Sequence, residues 1–326
     1  MSAINLAGSN STIDVLPWSD HGFVFKSLDM SEQIGDSVAT GVLVLTSDGT
    51  EKPYITEENT VNISYNQLIW KDKKVSYNIK GYIYSKRILE NEVHLHFSSV
   101  LNKEFSTVPK VNKFNIGIKD VIKSLYHGKV SFLDSGDSEL EPDVKGNLDS
   151  LDQNGMTDLD FCTRLCRSYR RDSVYSFGLE GLFIKSLSRT PFIITGESDC
   201  FLTDMEEINF YKELELDSLD TYSSVNLSSR MYGYKYDLVK NDFHSDLLSV
   251  YQYNERYTTN LKSRIKLRFS TRMPEFKIGD IVIYNNKYKF NKGKKYIVTY
   301  INIRINFNEV TFDCEISGWE DVVIMK

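Results

Sequence analysis

The sequence contains few of the residues that cross-link a small fold or interrupt a strand. Of its 326 residues, four are cysteine and six are proline. Four thiols in a chain this long do not indicate a disulfide framework, which is typical of short secreted chains. No apolar run approaches the roughly 18 residues that a membrane-spanning helix needs. The opening residues, MSAINLAGSNSTIDVL, lack a basic segment followed by an apolar one, so we expect no secretory signal and synthesis in a cytoplasm.

Positive charge is also in short supply, since the net charge is −6 at pH 7. This balance argues against a protein whose main task is to grip nucleic acid. Aromatic residues are plentiful, with 20 Tyr and 18 Phe, and 41% of the chain is hydrophobic. This composition excludes a disordered chain and favours strands over long helices. The length predicts two or three domains.

The first third of the chain predicts a β-rich domain. From Ile13 to about Val108, short apolar runs alternate with turns, and Ser47–Thr50 is one such turn because Asp-Gly favours hairpins. The predicted strands are Gly22–Lys26, Val38–Thr46, Val61–Trp70, Val75–Ser85 and Glu92–Val100. Several short strands at this spacing indicate a barrel or sandwich.

A helix is predicted next, over Phe114 to Gly128, because apolar residues form one stripe and Gly128 lies where a C-terminal cap is expected. Ser135–Gln153 is acidic and contains Gly, Pro and Ser, which predicts a loop.

The stretch from Asn154 to Ser186 then predicts a capped helix and a tight hairpin. Thr157 or Asp158 is suited to cap the helix, because a short side-chain oxygen accepts an unpaired amide hydrogen there. Apolar residues recur at helical spacing: Leu159, Phe161, Cys162, Leu165, Cys166 and Tyr169. After Asp172 the period changes to two, with a turn around Gly178–Gly181 between two apolar strands.

The C-terminal part again predicts strands. Phe192–Thr195 has the composition of a strand, whereas Asp204–Asp220 is acidic and is predicted to be irregular. Alternating segments follow at Met231–Val239, Leu247–Thr258 and Lys262–Phe269. Phe276–Val282 predicts a Gly-Asp turn into a strand, and Lys295–Thr299 and Val310–Ile316 continue the meander.

The order of helix and hairpin resembles that of phage late-control and baseplate-hub proteins, a family that includes the hub part of type VI secretion spike proteins. The matching residues are Thr157, Asp158, Asp160, Phe161, Arg164 and Leu165, followed by Tyr175–Phe177 and Leu182–Ile184. Gly279-Asp280 and the strands after it are similar to the last barrel of the same family. The alternative is an ordinary α+β subdomain of unknown role.

The resemblance implies a mainly β fold with an α+β middle part, in which two tube-like β-barrel domains flank a helix–hairpin subdomain. The corresponding domains are residues 1–110, 111–205 and 206–326, and strand exchange between the second barrel and the middle domain remains open. The resemblance further implies a homotrimer whose two barrels per chain form a pseudo-sixfold ring around a lumen. Such a ring would join a hexameric tail tube, or its initiator, to a trimeric central spike.

The same resemblance implies contacts with baseplate wedge proteins, a location in the virion tail baseplate, and synthesis in the bacterial host. DNA is implied only as passing cargo, and neither membrane insertion nor enzymatic activity is implied. Two other hypotheses stay open. One is a tail-associated glycan or peptidoglycan hydrolase, and the other is a monomeric β-rich glycan-binding module.

Several side chains are candidates for chemistry, but we predict no catalytic, cofactor-binding or metal-ligating residue among them. Cys162 and Cys166 share a helix face, but a soft-metal site needs four ligands and only Cys200 and Cys314 remain, so buried thiols are the alternative. His94 and His96 share a strand face, which predicts a solvated surface rather than a metal site.

The tempting carboxylate pairs are Asp158 with Asp160 and Glu197 with Asp199, for which a cap and a turn are the alternatives. Four arginines cluster in the C-terminal half of the predicted helix, where positive charge interacts favourably with the helix dipole. These side chains either face solvent or contact an acidic partner. They are Arg164, Arg167, Arg170 and Arg171.

Overall fold

The computed structural model describes fifteen segments of the chain. They are residues 4–6, 11–46, 57–68, 74–99, 108–126, 130–133, 151–169, 173–186, 191–195, 202–209, 226–229, 234–237, 263–270, 275–285 and 295–318. Within these segments, no helix is long and apolar enough to cross a lipid bilayer.

The described residues of the N-terminal third form eight strands and one 3₁₀ turn, Trp18–His21. The strands are β1 (Ile4–Leu6), β2 (Ser11–Leu16), β3 (Val24–Gln33), β4 (Gly35–Val38), β5 (Thr40–Thr46), β6 (Thr60–Leu68), β7 (Lys74–Ile88) and β8 (Glu92–Ser99).

Two helices lie in the middle of the chain, α1 (Ile118–Leu125) and α2 (Asp158–Tyr169). The strands around them are β9 (Lys113–Phe114), β10 (Val130–Leu133), β11 (Leu151–Asp152), β12 (Ser173–Gly178) and β13 (Gly181–Ser186). The remaining strands are β14 (Phe192–Thr195), β15 (Leu202–Asn209), β16 (Asn226–Ser229), β17 (Tyr234–Asp237), β18 (Ser263–Ser270), β19 (Ile281–Asn285), β20 (Lys295–Asn306) and β21 (Val310–Gly318).

One 13-stranded sheet dominates the molecule, with main strand order β1-β2-β6-β7-β8-β5-β3-β20-β21-β18-β15 and with β19 and β14 branching from β20. The pairing of β3 with β20, for example Met30 opposite Ile303, joins strands of the two predicted barrels directly. β14 and β15 also pair with C-terminal strands, namely β19 and β18. The mainly β fold class is therefore confirmed, while the domain boundaries at residues 110 and 205 stay a prediction.

The core forms because side chains alternate between the two faces of each strand. Val93, Leu95 and Phe97 of β8 are buried, and the residues between them are partly exposed. The backbone of β5 approaches Phe97 so closely that a Cβ on Gly41 would overlap the aromatic ring. Glycine is needed at this position because any larger residue would displace a fully buried side chain.

The helix–hairpin prediction is confirmed. Helix α2 begins at Asp158, and β12 and β13 form an antiparallel hairpin in which Gly178 lies opposite Gly181. Phe161, Cys162, Leu165 and Cys166 are buried as the helical spacing predicted. They belong to the same core cluster as Tyr175, Phe177, Leu182 and Ile184 of the hairpin.

Most C-terminal strand predictions are also confirmed. Phe192–Thr195 is β14, and Lys262–Phe269 corresponds to β18. The Gly-Asp turn leads into β19 as expected, and β20 and β21 continue the meander. Only the part of Met231–Val239 that forms β17 is described.

Three local predictions are wrong. The first helix covers only Ile118–Leu125, because Phe114 pairs with Leu151 in a two-stranded ladder. That ladder also ends the predicted loop at residue 150. Asp204–Asn209 is not irregular but belongs to β15. Its acidic composition does not favour a strand, but pairing with β18 supplies the backbone hydrogen bonds that stabilise one.

Several predictions fall outside the described residues. They concern the turn at Ser47–Thr50, the cap at Gly128, the acidic loop up to residue 150, the strand at Leu247–Thr258, and the side chains of Cys200, Glu197 and Asp199.

Candidate functional site

The hairpin β12–β13 is the point where distant parts of the chain converge. It forms a four-stranded sheet in the order β10-β13-β12-β4, so a strand from the N-terminal third completes it. The hydroxyl of Ser176 donates a hydrogen bond to the carbonyl of Gln33 at 2.9 Å, and the amide of Ala39 donates to the carbonyl of Phe177 at 2.9 Å. The hairpin is therefore attached to the segment that links β3 to β5.

A group of ionisable side chains surrounds the turn of this hairpin, and we call it the hairpin junction. Its members are Glu32 on β3, Tyr77 on β7, Glu180 in the turn, Lys185 on β13, and Lys277 and Asp280 in the loop before β19.

A buried ion pair forms one side of the hairpin junction. The Lys185 ammonium lies 2.9 Å from Asp280 Oδ1 and 2.6 Å from the carbonyl oxygen of Ile278. The two charged side chains are only 5% and 8% exposed. The other oxygen of Asp280 accepts the backbone N–H of Lys277 at 2.8 Å, and Gly279 has a φ of 74°, which favours glycine. The Gly-Asp sequence thus supplies both the turn and the anion.

Glu180 forms the other side of the hairpin junction. Its Oε2 lies 2.5 Å from the Lys277 ammonium, and its Oε1 accepts the backbone N–H of Asn78 at 3.1 Å. The same lysine lies over the ring of Tyr77 at 4.7 Å from the centroid, a cation–π contact. Glu180 and Lys277 therefore connect the hairpin turn to β7 as well as to the C-terminal loop.

Glu32 reaches the hairpin turn from β3. Its Oε1 accepts the backbone N–H of Leu179 at 2.8 Å. Burial raises the pKa of Glu32 and the nearby Glu180 carboxylate raises it further, although the Leu179 hydrogen bond and the two lysines act in the opposite direction. Burial also raises the pKa of Tyr77 well above its ordinary value, and the charge of Glu32 adds to this effect.

Asp158 is not the helix cap. Thr157 is, since its hydroxyl oxygen accepts the backbone N–H of Asp160 at 3.1 Å and its hydroxyl hydrogen is donated to the Asp160 carboxylate at 2.7 Å. Asp158 is buried, forms an ion pair with Lys110, and accepts a 2.7 Å hydrogen bond from Gln153. It connects the start of α2 to the segment around β9 and is closed off from solvent.

The described cysteines are all buried: Cys162, Cys166 and Cys314. The sulfur atoms of Cys162 and Cys166 lie 4.0 Å apart, as their shared helix face predicted. Within the described segments, no group of three or more His, Cys, Asp or Glu side chains is arranged to hold a metal ion.

His94 and His96 lie on the partly exposed face of β8, as predicted. His94 Nε2 is 3.3 Å from a carboxylate oxygen of Glu92, and the His96 ring lies 6.3 Å from that of Tyr84. Of the four arginines, only Arg164 has a described side chain, and it is partly buried.

Local sequence patterns do not predict Glu32, Glu180 or Lys185 as members of a site. These residues come from separate segments, and nothing in their local patterns marks them as neighbours. One local pattern does point to the site. Gly279-Asp280 predicts a turn, and an aspartate carboxylate beside a turn glycine commonly accepts a hydrogen bond.

The mainly β fold of this chain is similar to that of solved phage tail and type VI secretion proteins. Neither a protein-family model nor a curated protein sequence matches the chain. Solved structures match over nearly its whole length, and they are phage tail and type VI secretion proteins. The predicted resemblance is therefore confirmed at the level of the fold.

Three of these structures illustrate the match. An E. coli component of the type VI secretion system, itself structurally similar to two bacteriophage T4 tail proteins, matches with a TM-score of 0.58 and 8% identity over 95% of this chain and 77% of its own. The 43 kDa tail protein of a Shewanella oneidensis prophage gives 0.56 and 9% identity over 95% and 96%. A Francisella PdpA–VgrG complex gives 0.55 and 13% identity over 97% and 59%.

Proposed function

We propose that this protein is a structural component of a phage tail or a related injection machine, where it forms the baseplate hub. The observation that carries the proposal is the extent of the fold likeness. A single tail-type fold accounts for 95% of this chain and for 96% of the prophage tail protein.

The hub function requires a ring, and we propose a homotrimer in which each chain contributes two barrel-like units. The continuous sheet supports this arrangement, because β3 and β20 join strands from both ends of the chain into one curved surface. Three such surfaces would enclose a lumen with pseudo-sixfold symmetry. We place the units at residues 1–110 and 206–326, with residues 111–205 between them.

The proposed partners follow from this position. The ring would bind a hexameric tail tube, or its initiator, on one side and the trimeric central spike on the other, with wedge proteins around it. A matched structure is a complex between VgrG and PdpA, which supports association with spike or tail partners in general. The protein would therefore be located in the tail of the particle, and DNA would only pass through.

A structural function also fits the candidate carboxylates. Glycoside hydrolysis needs two carboxyl groups that flank a substrate bond, about 5–10 Å apart. Asp158 is buried and forms an ion pair with Lys110, while Asp160 binds the Thr157 hydroxyl. Both groups have structural partners, so neither of these two carboxylates is an open site for a hydrolase.

The decisive experiment is the mass of the purified protein by light scattering, alone and with its spike protein. We expect a species of three times 37.6 kDa, or a trimer that assembles when the spike is present. A chain that remains monomeric at micromolar concentration and does not bind the spike would overturn the proposal. Turnover of purified peptidoglycan by such a monomer would favour the hydrolase instead, and glycan binding without turnover would favour the binding module.

A further inference from the structure

Two groups of five strands in the large sheet share one strand order, which indicates an internal repeat in the structure. The first group is β6-β7-β8-β5-β3, and the second is β19-β20-β21-β18-β15. Every neighbouring pair within both groups is antiparallel. The second strand is the longest of its group in both cases, with 15 residues in β7 and 12 in β20.

The β-bulges of the two groups fall at equivalent places. One residue is left without a cross-strand partner in the middle of each long strand, Tyr84 in β7 and Thr299 in β20. The last strand of each group has a similar extra residue near its start, Lys26 in β3 and Thr203 in β15. Because a bulge shifts the pairing by one residue, these four positions align the two groups residue by residue.

The two groups are joined within the chain by the part of β20 that follows its bulge. Residues 295–297 of β20 pair with β19, whereas residues 300–306 pair with β3. The equivalent strand β7 pairs with β6 over residues 74–82. Beyond its bulge, β7 pairs with β8 alone among the described residues, and β15, the equivalent of β3, pairs there with β18 alone. One chain therefore carries both halves of a second seam, at two different places on its sheet.

The open part of β7 carries large apolar side chains. Tyr84, Ile88 and Leu89 are 55%, 51% and 41% exposed. Ile88 corresponds to Ile303, which is only 3% exposed in the seam between β20 and β3. A strand edge that presents apolar side chains to water is a template for pairing with another strand.

We propose that β15 of a second copy of this chain pairs antiparallel with β7 beyond its bulge. This contact repeats, between copies, the seam of β3 and β20 that joins the two groups within one chain. The inference rests on the proposed homotrimer and assigns the contact that closes its ring. Since the two edges differ, the contact is head-to-tail, and such contacts form a closed ring when the rotation between copies permits it.

The charges of the two edges are complementary in the register that the bulges define. In the seam within the chain, the amide of Asn302, three residues after one bulge, donates a 2.6 Å hydrogen bond to Asp29, three residues after the other. The corresponding residues are Arg87, which is exposed, and Glu206 of the second copy. An opposite-charge pair at this position favours the contact and fixes its register.

The first test exchanges these charges and measures dissociation of the trimer by light scattering on dilution. Arg87→Glu and Glu206→Arg each place like charges together in all three contacts, so each should raise the dissociation constant by about tenfold or more. The double variant, in which the two charges are exchanged, should restore the wild-type value. Lys80→Glu is the matched control, because Lys80 is exposed on the half of β7 that pairs with β6, and it should leave the constant unchanged.

A disulfide provides a second, independent measure of the register. Arg87 should lie directly opposite Ile208 of the second copy, as Asn302 lies opposite Ser31. Opposed residues of antiparallel strands have Cα atoms about 4.5–5.5 Å apart, which a disulfide can bridge. Mild oxidation of Arg87→Cys/Ile208→Cys should therefore give covalent dimers and trimers, whereas Lys80→Cys/Ile208→Cys and the wild type should give none.

The outcomes separate this inference from the proposed function. A trimer that tolerates Arg87→Glu and forms no specific cross-link would overturn the pairing of β7 with β15 and leave the hub function standing. Failure of the double variant to restore the trimer would also count against the pairing. A wild-type chain that stays monomeric, both alone and with its spike protein, would overturn the pairing and the hub function together.

Discussion

The buried ion pair between Lys185 and Asp280 gives the strongest prediction of stability. Both side chains are less than a tenth exposed, so water compensates little of either charge and the ion pair supplies much of that compensation. The Asp280→Asn change removes the negative charge and leaves the ammonium of Lys185 with the carbonyl of Ile278 as its neutral acceptor. Breaking one side of a buried pair costs about 3–5 kcal/mol. Because that acceptor remains, we expect a loss near the lower end of this range.

The double variant Lys185→Met/Asp280→Asn separates the charge from the packing. Methionine fills much of the space of the lysine stem and needs no partner. If the cost of Asp280→Asn arises from an uncompensated ammonium, the second change should restore part of the stability. Contacting charges typically show coupling energies of about 0.5–3 kcal/mol, and we expect this pair at the upper end.

The assay is urea denaturation followed by tryptophan fluorescence and circular dichroism at one pH and one protein concentration. Asp313→Asn is the matched control, because Asp313 forms a 2.7 Å ion pair with Arg268 on a partly exposed sheet face. That loss should stay within about 1 kcal/mol. The reasoning fails if Asp280→Asn is no more harmful than Asp313→Asn, or if the single changes are additive in the double variant.

Three further predictions concern the helix, the thiols and the sheet surface. Leu165→Asp should abolish soluble folded protein, because an unpaired charge in a core costs several kcal/mol. Thr163→Asp, at a half-exposed position of the same helix, should be tolerated. If Leu165→Asp melts at the same temperature as the parent, the packing described for α2 is contradicted. Thiol titration of the denatured protein without reductant should detect all four cysteines, and elemental analysis after anaerobic purification should find no iron or zinc at stoichiometric levels; one metal ion per chain would refute this expectation. The isolated protein should not bind duplex DNA at physiological salt. Arg268 and Arg304 on the sheet surface are each paired with a carboxylate, and the net charge of the chain is −6. Micromolar affinity for DNA that falls steeply with added salt would instead show a phosphate-binding surface.

Local patterns predicted the local elements well. The helix α2 and its hairpin were recognisable because the period changes from 3.6 to two within a few residues, and the glycines at 178 and 181 mark the turn. The choice between two possible caps was open, because Thr157 and Asp158 both carry a suitable oxygen. Tertiary contacts determine which residue is the cap. Lys110 and Gln153 bind Asp158, and Thr157 caps the helix.

The elements that escaped prediction depend on partners far away in the chain. Leu151–Asp152 forms a strand only because Lys113 and Phe114 lie opposite, and β15 is acidic but pairs with β18 over its whole length. The hairpin junction is the extreme case. Glu32 and Lys277 are separated by most of the chain. They are close in space because the strands that carry their segments belong to one sheet, and no local motif indicates this.

The pairing of β3 with β20 shows what kind of signal a sequence does carry about such contacts. Alternation assigns each residue to a face, but it does not select the neighbouring strand. Polar side chains add that selection here, because Asp29 accepts a 2.6 Å hydrogen bond from Asn302 and lies 3.3 Å from Arg304. Opposite charges at adjacent cross-strand positions favour this strand register over registers shifted by one or two residues, in which the same charged groups would lose each other as partners. The two ends of the chain are therefore joined by a polar match on one face of the sheet and by apolar packing on the other.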